Sequence, residues 1–156
     1  DDPEDSRQRG HLMRSLLDIN VVIALIDPDH DFHTRAHDWW RENQSGGWAS
    51  CPLTENGVIR IVSNPAYNPR RSLSPKTVTE LLRAFVRGTD HEFWPDAVSF
   101  LESAVMDSEQ VLGPRQITDL YLLALATSRG GRFVTFDDSI QLAAVRDAEE
   151  ESLLII

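Results

Sequence analysis

Four acidic residues, Asp18, Glu55, Asp119 and Asp137, stand where a parallel sheet would bring them together. Asp18 closes the short run Arg14 to Leu17. Glu55 lies at the start of the helical stretch after a second run, Trp48 to Cys51. Asp119 opens a helix directly after Thr118, and Asp137 follows the apolar run Arg132 to Phe136. In open parallel sheets, positions of this kind gather outside the carboxyl ends of the strands, where ligands bind.

Each acid also has an ordinary structural explanation. Asp18 or Asn20 could cap a helix, Glu55 and Asp119 could complement helix dipoles, and Asp137-Asp138-Ser139 could form a turn. The set is harder to explain in that way. Two carboxylates about 4 Å apart repel by about 4 kcal/mol at an effective dielectric near 20. Four in one crevice therefore call for a cation or for protonation. A hard divalent ion with oxygen ligands, Mg2+ or Mn2+, suits them. Such a centre is equipped for phosphodiester hydrolysis: the ion polarises the phosphoryl group, acidifies a water and stabilises the leaving oxygen. Asp18, Asp119 and Asp137 would be direct or water-mediated ligands, and Glu55 would hold a second ion or orient the water. Asn20, Thr118 and Thr135 are candidates for supporting hydrogen bonds or substrate contact. Asp138 stands beside Asp137 in a role not separable from a turn cap.

The elements that must position these groups follow from apolar periodicity and breakers. After the first strand come helices over Val21 to Ile26 and Phe32 to Asn43, the latter with Phe32, Ala36, Trp39 and Trp40 on one side. Gly46-Gly47 ends it. Leu53 to Val62 is a helix stopped by Asn64-Pro65, and Ala66 to Leu73 is a loop. Ser74-Pro75 opens a helix that runs to Gly88, with proline at its first position. His91 to Trp94 is expected to be a short strand, Asp96 to Val105 a helix, Thr118 to Ser128 a helix closed by Gly130-Gly131, and Leu153 to Ile156 a terminal strand. Alternating strands and helices indicate an α/β fold, a mainly parallel sheet covered on both faces.

The 156 residues suffice for one domain, with an apolar fraction of 41% and a charged fraction of 26% typical of a folded soluble chain. Residues 1–12 are polar and aperiodic. They are expected to be a flexible leader or an added remnant, with Met13 the natural start of a single domain over 13–156. No run is long enough to span a membrane, and the lone Cys51 has no disulfide partner, which together point to the cytoplasm. The net charge of −10 argues against a general nucleic-acid binder. One segment reverses the sign: between Arg60 and Gly88, Arg60, Arg70, Arg71, Lys76, Arg83 and Arg87 face the single acid Glu80. This is either a solvated helix face or a surface for anionic or protein partners. Arg60, Arg70 and Arg71 are the candidates for phosphate contacts.

The segments LLDINVVIAL (Leu16 to Leu25), CPLTENGVIRIVSNP (Cys51 to Pro65), HEFWPD (His91 to Asp96), RQITDLYLLALA (Arg115 to Ala126) and GGRFVTFDDSI (Gly130 to Ile140) resemble the PIN-domain toxins called VapC, especially a subfamily known largely from mycobacteria. The likeness runs from Met13 to about Ala144 with the motifs in the family's order. The family's acidic quartet falls on Asp18, Glu55, Asp119 and Asp137. What the resemblance implies is a three-layer PIN-like fold and a Mg2+- or Mn2+-dependent endoribonuclease, commonly a homodimer, restrained by a VapB-type antitoxin. That antitoxin is expected to place a cation near the quartet, where an Arg can mimic the metal.

Other signals carry less. His33 and His37 have the H-x-x-x-H spacing of a zinc site, but Thr34 stands where the metalloprotease glutamate would follow. Cys51 suits a buried strand end. Trp39, Trp40, Trp48 and Trp94 could stack on bases, Trp94 foremost, although packing explains most of them. A phosphoacceptor domain needs a lysine at the end of a late strand, and the only lysine is Lys76. Phosphatases with D-x-D and exonucleases with D-x-E after the first strand are poorly matched by Asp18-Ile19-Asn20. The remaining alternative is a catalytically silent binding module that keeps the fold and its antitoxin or RNA partner.

Overall fold

The computed structural model describes residues 13–156; the expected leader, 1–12, lies outside them. Five short strands form one sheet: β1 (Ser15–Leu17), β2 (Trp48–Ser50), β3 (His91–Phe93), β4 (Arg132–Thr135) and β5 (Leu153–Ile155). Their order is β3-β2-β1-β4-β5 and every pairing is parallel. The chain steps outward from β1 to β3, then crosses to the other side of β1 to lay down β4 and β5. The crevice at the carboxyl ends of β1 and β4 is therefore the point where strand order reverses, the usual ligand position in open α/β sheets.

Alternation along the strands builds two cores. Leu16, Ala49 and Phe133 face a helix, Ile117–Ser128, whose Leu120, Leu122, Leu123, Ala124, Leu125 and Ala126 are all buried. Leu17, Trp48 and Val134 face the opposite layer. That layer holds helices α1 (Ile19–Ile26), α2 (His33–Asn43), α3 (Pro52–Val62) and α4 (Pro75–Arg87), so that Ile117–Ser128 is α5. The expected three-layer α/β architecture is present. Among the described residues no helix is long and apolar enough to cross a membrane.

Local chemistry sets the helix starts. Pro52 and Pro75 occupy the first turns of α3 and α4, and the Ser74 hydroxyl accepts the Thr77 N–H at 3.1 Å. Gly47 and Gly130 adopt φ of +74° and +67°, which a side chain would strain, to turn the chain into β2 and β4.

Two expectations need correction. No helix forms over Asp96 to Val105. Val98, Leu101 and Val105 have helical spacing, yet Leu101 is 95% exposed while Val98, Phe100 and Val105 pack against the α5 side of the core. Ser99 competes with helical bonding: its hydroxyl accepts the Leu101 N–H and its carbonyl the Glu102 N–H. Phe32, expected to open its helix on one side with Ala36, Trp39 and Trp40, instead caps α2 and is 42% exposed.

Gly131 gives a stability prediction. A Cβ there would lie 2.7 Å from the main-chain oxygen of Arg14 and 2.7 Å from the Trp94 ring. The first contact cannot relax without opening the ladder, because the Gly131-Arg132 turn feeds the Arg132 N–H to that same Arg14 oxygen at 3.0 Å. Gly131→Ala is expected to cost about 1–3 kcal/mol, read as a lower urea midpoint at unchanged slope; an unshifted midpoint contradicts this packing.

Candidate active site

Asp18 follows β1 and caps α1. Its backbone N–H extends the sheet by bonding the Val134 carbonyl at 2.9 Å, and its side chain accepts the Ile19 N–H at 2.8 Å. The other carboxylate oxygen accepts the Thr135 hydroxyl at 2.7 Å. The cap is thus real, and the same residue also faces a cavity of about 220 Å³. Asp18, Ile19, Asn20, Ile61, Thr118, Asp119, Thr135, Phe136 and Asp137 line that cavity. Three of the four expected acids, with Asn20, Thr118 and Thr135, therefore share one space at the switch point.

The three carboxylates are held in different states. Burial pushes the Asp119 carboxyl up, and the charges of Asp18 and Asp137 and a hydrogen bond shared with Asp137 add to it, to about 7. Burial also raises Asp18, against the opposing bonds from Thr135 and Ile19. Asp137 is lowered by the Ser139 hydroxyl and N–H, which it accepts at 2.6 and 2.8 Å in a tight turn. Carboxylates that repel one another on one cavity wall favour either a retained proton or a bound cation. Every charged donor is oxygen, the set that Mg2+ or Mn2+ prefers. Among the described residues no three His, Cys, Asp or Glu side chains already stand positioned to hold an ion jointly. The fit therefore rests on donor chemistry and mutual repulsion.

Glu55 is placed differently. It is not among the residues lining this cavity. The Ser50 hydroxyl, at the end of β2, donates to it. Ser50 Oγ also lies 2.7 Å from His91 Nε2. A hydroxyl has one proton, so His91 must donate through Nε2 to complete the chain His91–Ser50–Glu55. The His91 ring packs on Trp48 at 4.5 Å, and burial lowers its pKa against the opposing charge of Glu55. Sequence reasoning missed Ser50 and His91. Ser50 closes β2 whereas His91 opens β3, so no shared strand end in the sequence signals their contact.

The PIN domain family model matches residues 15–146, a stretch that contains all four acids. The chain is also 46% identical over 144 residues to Ribonuclease VapC44 of Mycobacterium tuberculosis, covering 90% of this chain and 98% of that one. The chain belongs to the PIN-domain family. Two further Mycobacterium tuberculosis relatives are Ribonuclease VapC39, 39% identical over 142 residues (91% of this chain, 98% of the relative), and Ribonuclease VapC38, 38% identical over 143 residues (91% and 99%). This PIN domain thus spans nearly the full length of its VapC relatives.

The other candidates in this PIN domain find plain structural places. His33 Nδ1 bonds the Ala24 carbonyl at 2.7 Å and His37 Nε2 the Leu25 carbonyl at 3.0 Å, satisfying the open end of α1. They are no paired zinc ligands. Trp48 and Trp94 are 0% and 2% exposed, the latter bonding Glu92, so neither offers a face to a base. Cys51 is buried. Asp138 is exposed and outside the cavity, as are Arg60, Arg70 and Arg71; Arg71 lines a separate cavity with Asp27 and Tyr67.

Proposed function

We propose that this PIN domain is a divalent-metal-dependent endoribonuclease, the toxin of a toxin–antitoxin pair restrained by a VapB-type antitoxin. The observation that carries the proposal is the convergence of Asp18, Asp119 and Asp137 on one cavity, with the Asp119 carboxyl raised to about 7. That convergence occurs in a chain whose relatives are named ribonucleases. Asp18, Asp119 and Asp137 would hold Mg2+ or Mn2+. When bound, the ion supplies Lewis acidity, polarising the phosphoryl group and acidifying a nearby water. Thr135 fixes the Asp18 carboxylate, and Ser139 fixes that of Asp137. Asp119, whose pKa is raised by burial and its acidic neighbours, would hold the ion in its deprotonated form. Asn20 and Thr118 offer hydrogen bonds to the substrate from the cavity wall. Glu55, held by Ser50 and His91, would orient the attacking water or help to hold a second ion.

Analysis of the cleaved ends tests this reaction. Attack by water leaves no 2′,3′-cyclic phosphate and tolerates a 2′-deoxy residue at the cleaved position. A cyclic product would assign the attack to the ribose hydroxyl and rule out hydrolysis by water. The silent-module alternative is weakened by the presence of all four acids. In the cell we expect a small antitoxin to co-purify and to place a cation beside the acids, and the toxin to form homodimers.

Binding an anion on a chain of net charge −10 requires a local reversal of sign. We assign phosphate contacts outside the acidic cavity to Arg60, Arg70 and Arg71, all exposed. Combined Arg70→Ala and Arg71→Ala substitution is expected to raise KM and to reduce the slope of log affinity against log salt by about 0.7 for each lost contact with a single strand. An unchanged slope with loss of self-association or of antitoxin binding would give these arginines to a protein interface.

A further inference from the structure

The acidic cavity has an aromatic wall with no part in ion binding. Phe136 lies between Thr135 and Asp137 and lines the cavity with them. Phe32, at the cap of α2, packs on Phe136 with ring centroids 4.9 Å apart and planes tilted by 52°. The Arg35 guanidinium stands over both rings, 5.2 Å from the Phe32 centroid and 5.4 Å from that of Phe136. Arg35 also donates to the main-chain oxygen of Ile156 just beyond β5, which fixes its orientation. The group ties α2 to β4 and β5, yet Phe32 keeps 42% of its surface exposed and Arg35 is exposed beside it. Burial is thus incomplete where a buried aromatic would contribute most.

The geometry points to a nucleobase-stacking platform formed by Phe32, Phe136 and Arg35, which holds one unpaired base of the RNA next to the phosphodiester bond placed at the carboxylates. The inference rests on the ribonuclease reading and adds where the strand lies and what recognises it. Aromatic faces and guanidinium planes are the two surfaces on which unpaired bases stack, and each accepts any base. An Arg already parked over aromatic rings, one of which lines the acidic cavity, adds cationic attraction to the strand. A paired base has its faces covered by its neighbours, so the platform selects unpaired over duplex RNA.

The test is a binding cycle. The full chain carrying Asp119→Asn, which blocks turnover, is titrated with a short unpaired RNA and with the same RNA made abasic at one position at a time. Phe32→Ala is expected to weaken binding about tenfold or more. At one position, abasic substitution should cost the intact platform as much and cost the Phe32→Ala chain little, because the two changes remove the same contact. Phe32→Tyr should restore binding, whereas Phe32→Leu, which keeps apolar bulk without a π face, should not. That contrast separates stacking from support of α2. In the otherwise unsubstituted enzyme, the loss should appear in KM more than in kcat. Equal affinity of the Phe32→Ala and parent chains for RNA, or additive losses at every abasic position, would overturn the platform and leave the ribonuclease reading standing. Absence of any RNA binding or cleavage by the unsubstituted chain would overturn both.

Discussion

Asp119→Asn is expected to reduce RNA cleavage by on the order of a thousandfold while the protein remains folded. Removing one ligand from a metal centre forfeits several kcal/mol of stabilisation of the reacting phosphate, and about 4 kcal/mol corresponds to three orders of magnitude in rate. The fold should not suffer. Burial and its acidic neighbours disfavour the charged form of Asp119, so a neutral amide of the same shape is well suited to the site. Asp18→Asn should lose activity equally but also cost about 1 kcal/mol of stability. That side chain bonds both Ile19 and Thr135, and an amide has only one acceptor oxygen to offer them. Asp137→Asn sits between the two, since its oxygen serves the Ser139 turn. Kinetics on a defined unpaired RNA, with urea melts of each variant, provide the check. Near-normal turnover in Asp119→Asn would remove the residue from the centre.

The second large effect is on thermal stability. A cation that binds only the folded chain, present at about 100 times its Kd, stabilises it by about 2.7 kcal/mol. In a domain of this size, that raises Tm by about 5–10 °C. Mg2+ or Mn2+ should produce the rise, and Asp119→Asn should blunt it. Without the ion, the pH dependence has a definite sign. The Asp119 carboxyl titrates near 3.8 when unfolded and at about 7 when folded, so between those values the native state holds more protons. Stability from this group is therefore full below about pH 4 and falls as pH rises towards 7. The cation reverses the trend, because it competes with the proton on Asp119 and binds better as pH rises. Melting curves from pH 4 to 8, with and without Mn2+, should diverge progressively; parallel curves would contradict a shared site.

Much of this was legible in the residues themselves. Asp18, Asp119 and Asp137 each follow or open an element whose apolar pattern is plain, and the parallel order carries them to the same crevice. The helix starts at Pro52 and Pro75 and the turns at Gly47 and Gly130 were equally open to reading, because they depend on backbone chemistry local to a few residues. What failed depended on distant partners. Val98, Leu101 and Val105 mimic a helix face, but only Val98 and Val105, with Phe100, pack beside the nearly all-round apolar α5, and a turned loop leaves Leu101 in solvent. The place of Phe32 depends on Phe136, far off in the chain, and on Arg35 one turn on, which pack against it. The orientation of Glu55 was illegible for the same reason, since Ser50 and His91 meet only across β2 and β3.

Cleavage of a purified, unpaired RNA by the purified chain, first stripped with a chelator and then supplied with Mn2+, tests the metal centre most directly. The expected result is no cleavage after stripping, recovery as Mn2+ is added, and no recovery at any Mn2+ concentration when Asp119→Asn is present. Cleavage that persists in excess chelator, or that Mn2+ restores equally to the intact chain and to Asp119→Asn, would contradict a metal centre built on Asp18, Asp119 and Asp137.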